Sequence, residues 1–201
     1  MIKINFKNLH SGDILLFHQK KSCLGKMIQC FTRSKYCHIG IVLKDPIFLK
    51  KNLKDLYLLE SGYEDIPDAY DYKIKLGVQL QKLEPILEEY GKGNVYVRVF
   101  YSIKPINNKL LKEIYDKIQN KPYDLNPFDW LEAELKLPCK IGGDTDKRFW
   151  CSALVGYVYF KMGWMKEPKH WSLLSPEDWD SKERKIKTIG CHLSKEYVLD
   201  F

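Results

Sequence analysis

The 201-residue chain contains no C-x-x-C pair and no H-E-x-x-H segment. The commonest sequence frames for a zinc ion are therefore missing, and no metal site is expected. Long apolar runs are missing too. The longest, residues 151–160, falls far short of the roughly 20 residues that a membrane span requires. The opening Met1-Ile2-Lys3-Ile4-Asn5-Phe6 has neither the apolar core nor the small-residue cleavage site of a signal peptide, so a cytoplasmic or other reducing compartment is expected. Internal repeats, linkers and low-complexity segments are also lacking, which favours one domain over residues 1–201. Six cysteines in a chain of this length need no disulfide framework. The sequence bears no signature of a cofactor site or of a particular oligomeric state.

Charge is plentiful but diffuse. Lysine and arginine number 33 against 26 acidic residues, a net charge of +7. The lysines are spread along the chain, with short groups such as Lys50-Lys51 and 182–187. A solvated lysine-rich surface accounts for this pattern. No nucleic-acid motif accompanies it, so nucleic acid is not an expected partner, while peripheral contact with anionic lipid stays open.

The hydrophobic pattern alternates between the two regular periods. Strands are expected at 14–17, 38–43, 56–60, 77–80, 95–101 and 187–193. Helices are expected at 23–32, 83–90, 107–120, 128–137 and 148–162, the last stopped by Gly163. Leu110, Leu111, Ile114 and Ile118 form the inward stripe of the 107–120 helix. Residues 62–75 read as a surface loop, and Ser175-Pro176-Glu177-Asp178 as a helix start. An α+β domain follows, with an antiparallel sheet packed against helices.

Cys151 opens the most apolar helical segment, and His38 stands at the head of a β-type run. A helix N-terminus and a neighbouring imidazolium are two features by which proteins stabilise a thiolate nucleophile. On this reading Cys151 is the nucleophile and His38 the general base. Glu60, on the next strand, orients the imidazole, with Glu64 and Asp65 as substitutes nearby. The alternatives are a core cysteine, a structural strand histidine and a solvated strand-end carboxylate. His10, His18, His170 and His192 lack comparable context. Cys23, Cys30 and Cys37 read as core residues. As a cleft residue, Cys151 is expected to tolerate alanine with little loss of stability.

The histidine precedes the cysteine by more than a hundred residues, the reverse of the papain order. In that order the chain resembles the circularly permuted papain-like amidases of the NlpC superfamily. That group includes YiiX-like proteins, poxvirus relatives and lecithin:retinol acyltransferase-type enzymes. The resemblance rests on Gly12-Asp13-Ile14-Leu15-Leu16, Ser34 to Ile41 around His38, Glu60, Gly77-Val78-Gln79-Leu80, Lys121-Pro122-Tyr123-Asp124, Trp150-Cys151-Ser152 and Ser175 to Asp178. It implies a permuted papain-like fold and a Cys151–His38–Glu60 triad. Tyr123 would lie near the oxyanion site, or else pack its ring on the core. Gly40 would let the nucleophile helix approach its strand. The implied activity is hydrolysis of an amide or ester in a peptide-like or lipid acyl substrate through a thioester. The alternatives are a thiol acyltransferase with an amine or lipid acceptor and a non-catalytic binding or structural protein that keeps the fold. The Lys-, Asn- and Ile-rich composition suits an AT-rich genome such as that of a large DNA virus.

Overall fold

The computed structural model describes residues 2–18, 35–124, 147–166 and 171–201. The expected helices at 23–32 and 128–137 lie outside these residues, as do Cys23, Cys30, Ser34, Cys139 and His170. The described elements are mixed α and β. They comprise β1 (Lys3–Asn5), β2 (Ile14–Phe17), β3 (His38–Lys44), β4 (Leu56–Tyr63), β5 (Leu76–Lys82), α1 (Leu83–Tyr90), β6 (Val95–Ser102), α2 (Asn108–Ile118), α3 (Cys151–Lys161) and β7 (Cys191–Asp200).

The seven strands form one sheet in the order β1-β7-β6-β2-β3-β4-β5. All pairings are antiparallel except β1 with β7. Strands β2, β3 and β4 are buried along nearly their whole length. Burial on both faces explains why they read as continuous apolar runs. One face carries Ile14, Ile39, Ile41, Leu59 and Leu80 against α2 and α3, and the other carries Leu15, Val42 and Leu58 against α1. Helix α3 is buried from Cys151 to Tyr159, as expected of a helix apolar on every side.

Several expectations shift. Strand β4 continues through Ser61 and Gly62 to Tyr63, because both small residues pair with β5. Strand β7 occupies 191–200 instead of 187–193. Its alternation of half-buried residues gives a weak sequence signal. Helix α3 begins at Cys151, with Trp150 as its N-cap, rather than at Arg148. On α2, Tyr115 joins the buried stripe while Leu110 is half-buried. Gly40 serves β4 and not α3: a Cβ there would meet Leu58 at 2.7 Å and the Leu59 carbonyl at 3.1 Å. It is Gly156 that admits a neighbour to α3, where a Cβ would lie 2.8 Å from Leu174.

Candidate active site

His38 is the first residue of β3 and shares its face with Val42, because alternate strand residues share a face. Glu60 lies mid-strand in β4, not at a strand end. The paired register of β3 and β4, Ile41 opposite Leu59, carries the carboxylate to the imidazole. Nε2 of His38 bonds Oε2 of Glu60. Both side chains are buried, Glu60 completely. The second carboxylate oxygen accepts from the Gln79 amide at 3.3 Å. Gln79 is held in turn by Gln81 at 3.0 Å, which also donates to the Ile66 carbonyl. A buried charge is tolerable only when its oxygens are bonded in this way.

Cys151 arrives at the head of α3. Its sulfur lies within interaction range of the His38 ring and acts to raise the imidazole pKa. Cys151 is only 2% exposed and His38 6%, so the expectation of a thiol standing open at a cleft is corrected. Ser152 is also buried, and its hydroxyl bonds the Leu174 carbonyl, tying α3 to the Trp171–Leu173 turn. Trp150 supplies no side-chain cap, so the first-turn N–H groups lack a side-chain acceptor there. The Ser61 hydroxyl donates to the Phe149 carbonyl at 2.6 Å, which fixes the approach to the helix against β4.

Tyr123 reaches the same locality by a different route. Residues 121–124 run along the outer edge of β5, with Val78 N–H bonding the Lys121 carbonyl at 2.8 Å and Tyr123 N–H the Leu76 carbonyl at 3.3 Å. Gly77 makes this possible: its φ is +149°, and a Cβ would lie 2.3 Å from the Lys121 oxygen. The segment then bridges to Phe149. Tyr123 is buried, close enough to feel the Cys151 charge.

The electrostatics favour a charged imidazole. Burial by itself would depress the His38 pKa, but the Glu60 charge and the bonds from Cys151 and Glu60 outweigh it and raise the value well above 6.5. Burial, reinforced by the Cys151 and Asp124 charges, holds the Tyr123 phenol well above its usual range, so it remains a donor at neutral pH. Tyr90 responds in the same direction, first through burial and then through Cys37, Glu64, Glu60 and Cys151. The cluster therefore gathers a thiol, an imidazole, a carboxylate and a phenol within interaction range.

Of the substitutes for Glu60, Asp65 is exposed, while Glu64 is buried beside the His38 ring, whose Nε2 bonds Glu60. Cys37 is a core residue whose sulfur bonds the Phe17 carbonyl. His10 and His192 are exposed and His18 half-buried. Sequence reading missed the role of Gln79 and Gln81. Their alternation with Val78 and Leu80 reads as a solvated face, and only the register with β4 shows them buried beside Glu60. Among the described residues, no group of three or more His, Cys, Asp or Glu side chains is placed to hold a metal ion.

No protein-family model matches this chain, and no curated protein matches it. Among solved structures, the metalloprotein YiiX of Escherichia coli O157:H7 is similar at 22% identity and a TM-score of 0.46, over 94% of this chain and 88% of that one.

Proposed function

We propose that this protein is a thiol hydrolase that cleaves an amide or ester bond in a peptide-like or lipid acyl substrate. The supporting observation is the buried set Cys151, His38 and Glu60, with one ring nitrogen of His38 on the carboxylate and Cys151 near enough to raise the pKa of the same ring. Cys151 Sγ attacks the carbonyl carbon as a thiolate, and the Cys151 N–H at the start of α3 donates to the oxyanion. The neutral Tyr123 phenol is a second donor. The His38 imidazolium protonates the leaving nitrogen or oxygen as the tetrahedral species collapses to a thioester. The now neutral imidazole takes a proton from water, hydroxide attacks the thioester, and the acid leaves as thiolate and imidazolium are restored. Glu60 fixes the ring orientation and balances its charge, and Gln79 positions Glu60.

An electrophilic acyl-thiol probe followed by peptide mass mapping tests this reading. Cys151 should be labelled ahead of Cys37 and Cys191, and His38→Ala should abolish the labelling. Equal labelling of Cys191, or undiminished labelling in His38→Ala, overturns it. Adding an amine acceptor separates hydrolysis from acyl transfer by product mass.

A further inference from the structure

The far end of α3 from Cys151 has a different character. Met162, Gly163 and Trp164, just past the helix, line a cavity of 380 Å³ together with Pro105, Leu110 and Ile189. Two turns project beside it. Ile103 is 90% exposed and Ile189 54%, and Tyr101 next to them is 48% exposed. The turns are held by backbone bonds, Ile103 N–H to the Gly190 carbonyl at 3.3 Å and Ile189 N–H to the Trp164 carbonyl at 2.8 Å. These apolar tips therefore stand out from a fixed backbone.

Lysine dominates the charge around them. The segments that build this end, 101–112, 159–166 and 184–195, contain no aspartate or glutamate. Lys104, Lys109, Lys161, Lys166 and Lys187 are all exposed there. Among the described residues none of the five has a carboxylate partner, whereas Lys112 and Lys185 are paired with Asp116 and Asp178. In a chain with 26 acidic residues, protruding isoleucines beside five lysines that have no carboxylate partner among the described residues call for an occupant.

We propose that this end is a docking face for an anionic lipid surface, with Ile103 and Ile189 entering the headgroup–acyl boundary and the lysines facing the headgroups. Protruding aliphatic tips ringed by lysine fit that boundary. Single-stranded nucleic acid would instead be gripped by stacking aromatics and arginine, and here the exposed rings Tyr101 and His192 are stacked on each other at 4.7 Å. Lysine is a flexible point charge that makes no geometric demand on a fluid headgroup layer. Helix α3 spans 11 residues, about 16 Å at a rise of about 1.5 Å per residue, so Cys151 lies about a helix length from this end. The proposal stands whether or not Cys151 is a nucleophile.

Sedimentation of the full chain with phosphatidylcholine vesicles, with and without about 30% phosphatidylserine at about 0.1 M salt, tests it. Binding to the anionic vesicles should be at least about tenfold tighter. Ile103→Ser combined with Ile189→Ser should weaken it about tenfold, as should Lys104→Glu combined with Lys187→Glu. Lys51→Glu combined with Lys54→Glu makes the same change in net charge at exposed positions elsewhere and should leave binding within about twofold. Equal binding to neutral vesicles, an unchanged isoleucine variant, or an equal loss with the Lys51 and Lys54 changes overturns the proposal. So does an oligonucleotide that binds independently of the two isoleucines while the vesicles remain unbound. Both isoleucine side chains are exposed, so the variant should keep the parental thermal melt.

Discussion

The two ends of α3 treat charge in opposite ways. At the Cys151 end, His38 and Glu60 are buried, and each is met by a partner from another strand: His38 by Glu60, and Glu60 by Gln79. At the other end, five exposed lysines have no carboxylate partner among the described residues, and isoleucines stand in solvent. Buried, bonded charge is preorganised and suits chemistry on a small group. Exposed, unpaired charge beside apolar tips suits a broad partner. One helix thus joins a reaction-type environment to a surface-type one.

The sharpest way to break this comparison is to disable one end and read both. Cys151→Ala and His38→Ala should each lower probe turnover by at least about 10³-fold, because the pair acts as a unit, with vesicle binding unchanged. Pseudo-first-order labelling rates and sedimentation on the same samples give both readings. Because Cys151 is buried in the main cluster, its replacement by alanine should also lower stability by about 1 kcal/mol, seen in urea titration. A variant that lost activity only through unfolding would show a much larger drop.

Glu60→Gln should leave a residual rate about 10²- to 10⁴-fold below the parent, since the nucleophile and base stay but orientation and charge balance are lost. A rate equal to that of His38→Ala would assign Glu60 more than a positioning role. A rate equal to the parent would remove Glu60 from the site.

The raised pKa of His38 predicts a pH dependence with a definite sign. A folded value above the ordinary 6.5 means that the native state holds the proton longer than the unfolded chain. The stabilisation is full below pH 6.5 and is lost as pH rises through the folded value. Urea midpoints of the parent should therefore fall over that alkaline window relative to His38→Ala. In Glu60→Gln the fall should begin at the same pH, which the unfolded chain sets, but end at a lower pH and be smaller. Parallel curves for parent and His38→Ala would contradict the charged-imidazole picture.

A smaller effect is expected at Gly77→Ala, which places a Cβ against the Lys121 carbonyl at a positive φ. A loss of about 1–3 kcal/mol is expected. It should be accompanied by a changed Tyr123 environment in near-ultraviolet absorbance, because the two residues share the 121–124 segment. Stability loss without a Tyr123 signal would separate the β5 edge from the site.

Much of this arrangement was legible in the chain itself. The runs Ile14-Leu15-Leu16-Phe17 and His38 to Leu43 announce buried strands, and the 83–90 periodicity gives α1 at its observed bounds. Cys151 at the head of an apolar helix and His38 at the head of a strand were visible as single residues. The tail 191–200 was not, because its half-buried alternation resembles a loop until β6 and β1 pair with it. Gln79 and Gln81 were equally opaque, since a polar residue every second position describes a wet face and a buried hydrogen-bonded one alike.

Sequence alone determined the buried strands at 14–17 and 38–43 and the helix at 83–90, because the period of the apolar residues is a local property of the chain. It also placed a cysteine at a helix start and kept one stretch of charge free of acid on either side of Ile103. Tertiary structure decided which of these meet. The register of β3 against β4 put Glu60 on His38, the edge path of 121–124 past Gly77 brought Tyr123 to the thiol, and the turns at 103 and 189 came together beside Trp164. Strand pairing decides such meetings because a shift of one residue sends every side chain to the other face, and a single local period does not encode that choice.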